Sequence, residues 1–305
     1  MSKFLVTGAS GFIGQHVMNQ YPDSRAVIRC DSKKKYKDVH FVSSLDSKTS
    51  WDNAFDNIDC IIHLAGLAHS TEYSEFDYNE VNVQGTYHLA LEAARNGVKR
   101  FVFVSSIGVN GSNSHTSPFR NLDLPNPHNS YAKSKLDAEL ALRKVSEDTG
   151  LEVVIVRPTL VYGPNAPGNF GALTRFINRL SILPFGLANN KRSFIAVQNL
   201  ANLLGSCAMH PDAPGHVFLG SDGEAVSTKY FTTSIGKGIG KVVYQLPIPI
   251  ILMQILGKLF GKSTIIEQLY GNLEVDSSNL KEVLGWTAPL TMKQAMSSLG
   301  NLSER

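Results

Sequence analysis

The 305-residue chain is poor in cysteine, in charge and in long apolar runs. Its three cysteines, Cys30, Cys60 and Cys207, lie far apart with no CxxC pair. That argues against a disulfide framework or a zinc knuckle and fits a reducing cytosol. Charged residues make up 18% and the formal charge is +3, too small an excess to argue for nucleic acid. The longest greasy stretch, Leu246 to Leu256, is broken by Pro247, Pro249 and Gln254. A bilayer span needs about 20 apolar residues, so no transmembrane segment is expected. The stretch reads instead as buried or subunit-facing, with an amphipathic surface contact by residues 246–260 as the alternative. The nine histidines are scattered without HExxH, and no GxSxG elbow occurs, so metal catalysis and hydrolysis find no support. From Met1 the chain runs straight into a strand and a glycine turn, so no signal peptide is expected and the location reads as cytoplasmic.

What is present is an ordinary globular balance, 43% apolar with 25 Gly and 13 Pro, long enough for about two domains. Phe4–Val6, Ala26–Ile28, Phe41–Val42, Cys60–Leu64, Phe101–Val104 and Val153–Val156 read as strands covered on both faces, since they lack polar alternation. Helix-like stretches lie between them near 12–20, 49–56, 78–96 and 130–148. The alternation predicts an α/β fold, a Rossmann-type doubly wound parallel sheet over residues 1–165. Beyond it, Pro and Gly punctuate a looser pattern with helices near 171–180, 199–208 and 250–260. This predicts a smaller substrate lobe over 166–305, with segments near 193–207 returning to the core.

Gly8, Gly11 and Gly14 follow the first strand and open a helix, in the order GxxGxxG. Glycine there allows a tight turn, close approach of backbone to a pyrophosphate and close helix packing, while the helix amides point at the anion. The end of the second strand selects the dinucleotide: an acid binds the ribose 2′-hydroxyl, an arginine accommodates a 2′-phosphate. Arg29 stands there and favours NADP, with Lys33, Lys34, Lys35 and Lys37 adding local positive charge; Asp31 turned inward would reverse the preference to NAD.

Asn129 and Ser130 form a plausible helix cap ahead of Tyr131-Ala132-Lys133-Ser134-Lys135. One helical turn puts Tyr131 and Lys135 on one face. A phenol titrates near ~10, so it shuttles protons at neutral pH only if a nearby cation favours its anion. Lys135 is the expected cation. Ser106 ends the fifth strand, at the sheet edge where ligands sit, and its hydroxyl can bond a substrate carbonyl while Tyr131 delivers a proton. With a nicotinamide hydride, the three form an oxidoreductase set.

The chain resembles the extended short-chain dehydrogenase/reductase family, the nucleotide-sugar epimerases, dehydratases and reductases. The resemblance spans essentially the whole chain. It rests on Thr7-Gly8-Ala9-Ser10-Gly11-Phe12-Ile13-Gly14, on Ile62-His63-Leu64-Ala65-Gly66 and on Asn82-Val83-Gln84-Gly85-Thr86. It continues through the serine strand, Tyr131 to Lys135 and Arg157-Pro158-Thr159-Leu160-Val161-Tyr162-Gly163-Pro164. It implies Ser106, Tyr131 and Lys135 as the catalytic trio. Gly8, Gly11, Phe12, Ile13, Gly14, Arg29, Leu64, Ala65, Gly66 and Asn82 would line the cofactor, and Pro158, Thr159 and Leu160 would lie beside the nicotinamide. Asn169 and Arg192 resemble the family's nucleotide-diphosphate contacts, which implies a UDP-sugar substrate. Relatives of this kind usually form homodimers through the helices near 78–96 and 130–148.

Departures narrow the reaction. The dehydratases of this family carry an Asp-Glu pair directly after the catalytic hydroxyl; here stand Ile107 and Gly108, which move no proton. The usual tyrosine of the strand motif is Asn110, and Arg29 replaces the acid of a tightly NAD-holding 4-epimerase. Together with the Gly168-Asn169-Phe170 and Leu183-Pro184-Phe185-Gly186 segments, this leans toward bacterial reductases of UDP-4-keto-6-deoxy-N-acetylhexosamines that make surface-polysaccharide precursors. A UDP-hexose 4-epimerase is the alternative, and a non-catalytic dinucleotide-sensing protein the remote one.

Overall fold

A computed structural model describes residues 3–29, 36–68 and 72–300. In the first half, β1 (Phe4–Thr7), α1 (Phe12–Gln20), β2 (Arg25–Arg29), β3 (Val39–Val42) and β4 (Cys60–His63) are followed by α2 (Glu75–Tyr78). A π-helical stretch, Asn79–Gln84, runs into α3 (Gly85–Arg95), then come β5 (Arg100–Val104), a short 3-10 turn Ile107–Val109, α4 (Ser130–Thr149) and β6 (Glu152–Pro158). The second half holds β7 (Leu160–Tyr162), α5 (Gly168–Arg179), β8 (Ile182–Leu183), β9 (Arg192–Ala196), α6 (Val197–Met209) and β10 (Val217–Gly220). It ends with β11 (Ala225–Val226), α7 (Thr228–Gly238), β12 (Tyr244–Gln245), α8 (Ile250–Leu259), α9 (Ser263–Tyr270), α10 (Ser278–Leu284) and α11 (Met292–Ser297).

Seven strands form one parallel sheet in the order β10-β6-β5-β4-β1-β2-β3. The order reverses between β1 and β4, the point at which a doubly wound sheet opens its ligand crevice. Strand register explains the two cores. Val6, Ile62, Val102 and Val154 are cross-strand neighbours on one face, packed with α1, α6 and α10 residues. Leu5, Ile61, Phe101 and Val153 are neighbours on the other, under α3 and α4. Both faces are therefore covered, which is why these strands read as unbroken apolar runs.

Helix α6 packs on the main sheet, and β10 supplies its outermost strand beside β6. β7, α5, β8, β9, α7 and α11 gather around a third core of Tyr162, Phe170, Phe185, Phe194, Phe231 and Met296. There Phe194 and Phe231 stack at 3.7 Å between ring centroids.

Two expectations need correction. Residues 49–56 are not helical but two successive turns, with Asn53 and Asn57 both at φ 59°. Trp51, Ala54, Phe55 and Ile58 keep the helical spacing of apolar side chains and are buried, yet the backbone closes Trp51 to Ala54 and Phe55 to Ile58. Asparagine, which tolerates the left-handed region, ends each turn. For Leu246–Leu256 burial within the chain is overturned, Gly257 being the one buried residue of α8, while the subunit-facing and surface-contact readings stand untouched. No helix among the described residues is long and apolar enough to cross a membrane.

Candidate active site

The glycine turn follows β1 directly. Gly8 sits at φ +68°, in the left-handed region, and its carbonyl accepts the Gly11 amide at 2.9 Å. A Cβ on Gly8 would lie 2.9 Å from the Ala65 nitrogen, and one on Gly14 would lie 2.1 Å from the Gly8 oxygen. Side chains here would push the turn off the 64–65 segment and off the helix beneath it. Gly11 caps α1 without a side-chain bond, so the first amides of the helix face outward as donors. Such a cradle, with Leu64, Ala65 and Gly66 along its wall, fits the pyrophosphate of a dinucleotide.

A relay of polar groups holds that wall. The Thr7 hydroxyl accepts the amides of Leu64 and Ala65 at 3.2 Å each and meets His63 Nδ1 at 2.7 Å. His63 Nε2 meets the Thr86 hydroxyl at 2.9 Å, and Thr86 donates to the Asn82 carbonyl at 2.7 Å. Burial pulls the His63 imidazole down to about 3, with the Lys135 charge acting in the same direction, so the ring is neutral. The buried Asn82 side chain accepts the Leu67 amide at 2.7 Å and donates to the Leu67 carbonyl at 3.1 Å and to the Ser134 hydroxyl at 3.0 Å. Its amide is thus engaged in tying the 64–67 loop to α4. The π-helical geometry at Asn79–Gln84 is where this residue is set, a distortion often found near working sites.

Ser106 follows β5 and opens the 3-10 turn, its hydroxyl oxygen accepting the Gly108 amide at 3.1 Å. Gly108 is a junction: a Cβ there would lie 3.3 Å from both Ser106 Oγ and Ala132 Cβ. The serine loop therefore packs on the first turn of α4, which Asn129 caps through the Ala132 amide at 2.8 Å. Tyr131 and Lys135 project from that helix. Tyr131 lies 6.1 Å from the Tyr78 ring, and burial followed by the Tyr78 phenol pushes its own phenol up to about 12. Lys135 is buried, its ammonium 4.2 Å above the Phe103 ring. It donates no hydrogen bond to any of the described residues. Burial draws it down to about 7, against the opposing charge of Glu139. The phenol is thus raised rather than lowered, opposite in direction to the acidifying action expected of Lys135, whose ammonium sits over Phe103.

What fixes α4 against the sheet was not visible in the sequence pattern. Glu139, one turn beyond Lys135, is fully buried and takes a bidentate bond from Arg157, at 2.9 and 2.6 Å. Ser105 donates to the same carboxylate at 2.5 Å, and Arg157 donates to Asn110 Oδ1 at 2.9 Å. Asn110, the departure noted above, is thus the fourth member of a buried network joining the ends of β5 and β6 to α4. A second unforeseen cluster joins Tyr162, Asn199 and Asp222, with bonds of 2.8 and 2.7 Å to the carboxylate. The signal of the first network was faint: Glu139 on the inner face of α4, and Arg157 inside an apolar strand.

The other named residues are spread around the crevice. Phe12 reaches toward Gly163, Ile13 packs into the sheet core and Pro158 ends β6. Thr159 donates twice to the Gly220 carbonyl, at 3.0 Å each, and Leu160 begins β7. Arg29 is exposed at the end of β2; Asp31 and Lys33 to Lys35 lie outside the described residues. Lys37 pairs with Asp23 at 3.3 Å. Asn169 is exposed at the start of α5. Arg192 opens β9, half-buried, donating to the Gly271 carbonyl at 3.1 Å, and burial lowers it to about 10. No carboxylate among the described residues forms an ion pair with it. Among the described residues no cluster of His, Cys, Asp or Glu is placed to hold a metal ion.

Comparison with known proteins gives the family and the fold. A "UDP-glucose 4-epimerase" of Vibrio cholerae is 38% identical over 301 residues, covering 95% of this chain and 92% of its own. An "N-acetyl-alpha-D-glucosaminyl-diphospho-ditrans,octacis-undecaprenol 4-epimerase" of Escherichia coli O157:H7 is 26% identical over 312 residues, 96% of this chain and 92% of the relative. In fold, the chain superposes on a UDP-glucose 4-epimerase from Thermotoga maritima, solved with UDP-glucose, with a TM-score of 0.76 at 22% identity over 98% and 97% of the two chains. The profile of the "NAD dependent epimerase/dehydratase family" matches residues 4–220, and the chain belongs to that family.

Proposed function

We propose that this protein is a 4-epimerase of UDP-hexoses, with residues 1–165 holding the dinucleotide and residues 166–305 the sugar nucleotide. What supports the reading is that the Ser106 loop packs through Gly108 on the first turn of α4, the helix that carries Tyr131 and a Lys135 buried over the Phe103 ring. The relatives favour epimerisation over the net reduction that Arg29 first suggested. A bound nicotinamide would supply reversible hydride exchange at C4. The chain's own residues do the rest. The Ser106 hydroxyl bonds the C4 oxygen and orients it. Tyr131, as its phenolate, takes the C4 hydroxyl proton and returns it, and Lys135 offsets the negative charge that the phenolate bears before the transfer and after the return. Arg192 meets the diphosphate, a group shared by UDP-hexoses and by the polyprenyl-diphosphate sugar in the Escherichia coli relative's name. Asn82 and Thr7 act by holding the 64–67 wall. We place homodimerisation on α3 and α4, which expose Tyr87 and Leu140, and the protein in the cytoplasm.

The test is proton NMR of UDP-glucose and UDP-N-acetylglucosamine incubated with purified protein, without added dinucleotide and with NAD or NADP. Appearance of the C4-inverted sugar supports the reading. Failure with both sugars, alongside NADPH consumption by a UDP-4-keto-6-deoxy sugar, would replace it with the reductase, the reading that Arg29 at the NADP-selecting position favours.

A further inference from the structure

Residues 225–266 contain no aspartate or glutamate and five lysines: Lys229, Lys237, Lys241, Lys258 and Lys262. The whole chain is only +3, so the remainder is net negative and the positive charge concentrates here. The same stretch turns outward the side chains a folded domain normally buries. β12 pairs in parallel with β8, placing Tyr244 opposite Ile182, both more than half exposed. At alternate positions beside them, Leu180, Val242 and Leu246 are exposed too, so the ribbon has an apolar outer face. Its chain continues through Pro247 and Pro249 into a helical hairpin, α8 against α9, closed where Gly257 packs on Ile266. Around that one buried glycine Ile251, Leu252 and Ile255 stay exposed, and the tip residues Leu259 and Phe260 are 74% and 73% accessible.

We propose that this ribbon and hairpin dock on the surface of an anionic phospholipid bilayer, with α8 lying along the interface. At ten residues, α8 is far too short to span, whereas a helix lying flat needs only its apolar side chains in the acyl boundary and its lysines at the headgroups. Charge decides the occupant. A second copy would set Lys258 and Lys262 at the hairpin tip against the same lysines, with Glu267 of α9 the one acid of the hairpin. An anionic bilayer offers negative headgroups and hydrocarbon within a few ångströms of each other, and its field would attract Lys258 and Lys262 at the hairpin tip. Docking there has a consequence for the site. Ile250, the first residue of α8, and Gly271, whose carbonyl takes the Arg192 guanidinium, line one cavity of about 350 Å³, so the diphosphate side of the crevice would sit near headgroup level. The proposal is independent of which sugar is turned over.

The experiment is vesicle flotation of the full-length protein. Vesicles of phosphatidylcholine with about 30 mol % phosphatidylglycerol should carry it up at least ~5-fold better than phosphatidylcholine alone, and salt should weaken the binding. Lys258→Gln with Lys262→Gln should lower partition on the anionic vesicles roughly 10-fold, and Leu259→Glu with Phe260→Glu by as much or more. Both pairs are exposed, so an unchanged melting temperature shows that the fold survives. Failure of the wild-type protein to float with anionic vesicles overturns the proposal, as does flotation of both variant pairs equal to that of the wild type. Self-association abolished by the Leu259→Glu, Phe260→Glu pair, without vesicle binding, would assign the face to a second copy and also overturn it.

Discussion

Helices α4 and α8 break the usual pattern of burial in opposite directions. α4 buries Lys135 and Glu139 and leaves Leu140 half exposed, whereas α8 exposes its isoleucines and leucines and buries a glycine. A buried charge costs several kcal/mol unless paired, and an exposed apolar face gains nothing from folding. Neither arrangement helps the chain fold, so each is best read as serving something outside the chain: α4 a reacting ligand, α8 a surface. Within α4 the two charges also differ. Glu139 is saturated by Arg157 and Ser105, while Lys135 rests on an aromatic face with no hydrogen-bond partner among the described residues. One turn of helix separates a group that holds from a group that waits.

The comparison is tested hardest at Tyr131. Tyr131→Phe keeps the ring against Tyr78 and removes the proton, so turnover should fall by roughly 10³-fold with the melting temperature nearly unchanged. A variant that keeps a tenth of the wild-type rate would mean the proton travels by another route. Glu139→Gln should act in the opposite sense. It leaves Arg157 charged and buried at 2% exposure, and should cost about 3–5 kcal/mol of stability in urea titration. A loss below about 1 kcal/mol would show that the network is dispensable.

Lys135 sharpens the contrast through pH. Its ammonium is held at about 7 in the folded chain against 10.5 for an ordinary lysine. Between those values the unfolded chain binds a proton that the folded chain does not, so this group makes stability rise with pH. Below about 7 both states are charged and the burial penalty is complete; above 10.5 it is gone. Lys135→Met should therefore stabilise the cofactor-free protein at pH 6 by roughly 2–4 kcal/mol, with the gain shrinking from pH 7 toward 10.5. It should abolish turnover at every pH. Equal stability of the two proteins at pH 6 would show that Lys135 is not buried unpaired.

The sequence carried the parts of this site that are local. The glycine spacing, the Asn129 cap and the Tyr131–Lys135 turn each depend on neighbours a few residues away, and the sheet follows from apolar runs of the right length. What stayed hidden depends on residues brought together from a distance. Glu139 meets Arg157 and Ser105 across 18 and 34 positions, and only the packed sheet shows why a carboxylate belongs on the inner side of α4. Asn110 looked like a lost substrate contact because its partner, Arg157, is 47 residues away. Residues 49–56 misled for the converse reason: helical spacing of Trp51, Ala54, Phe55 and Ile58 is also what two asparagine-ended turns present to a core. Leu246–Leu256 misled because hydrophobicity implies burial only where something in the same chain covers it.

That last inference supports the smallest effect and the cleanest contrast with Glu139. If α8 contributes nothing to the fold, then Leu259→Ser and Phe260→Ser, alone or together, should move the urea-unfolding free energy by no more than about 0.5 kcal/mol. A buried leucine or phenylalanine cut back in the same way would cost several times more, since the transfer of its apolar area to water is lost along with its packing. Activity on a water-soluble UDP-hexose should be unchanged too, because neither side chain reaches the crevice wall. A destabilisation above about 2 kcal/mol for either single variant would mean that the hairpin folds onto the body of the protein in solution. In that case the lysine-rich stretch would be an internal surface, and α8 would obey the ordinary rule after all.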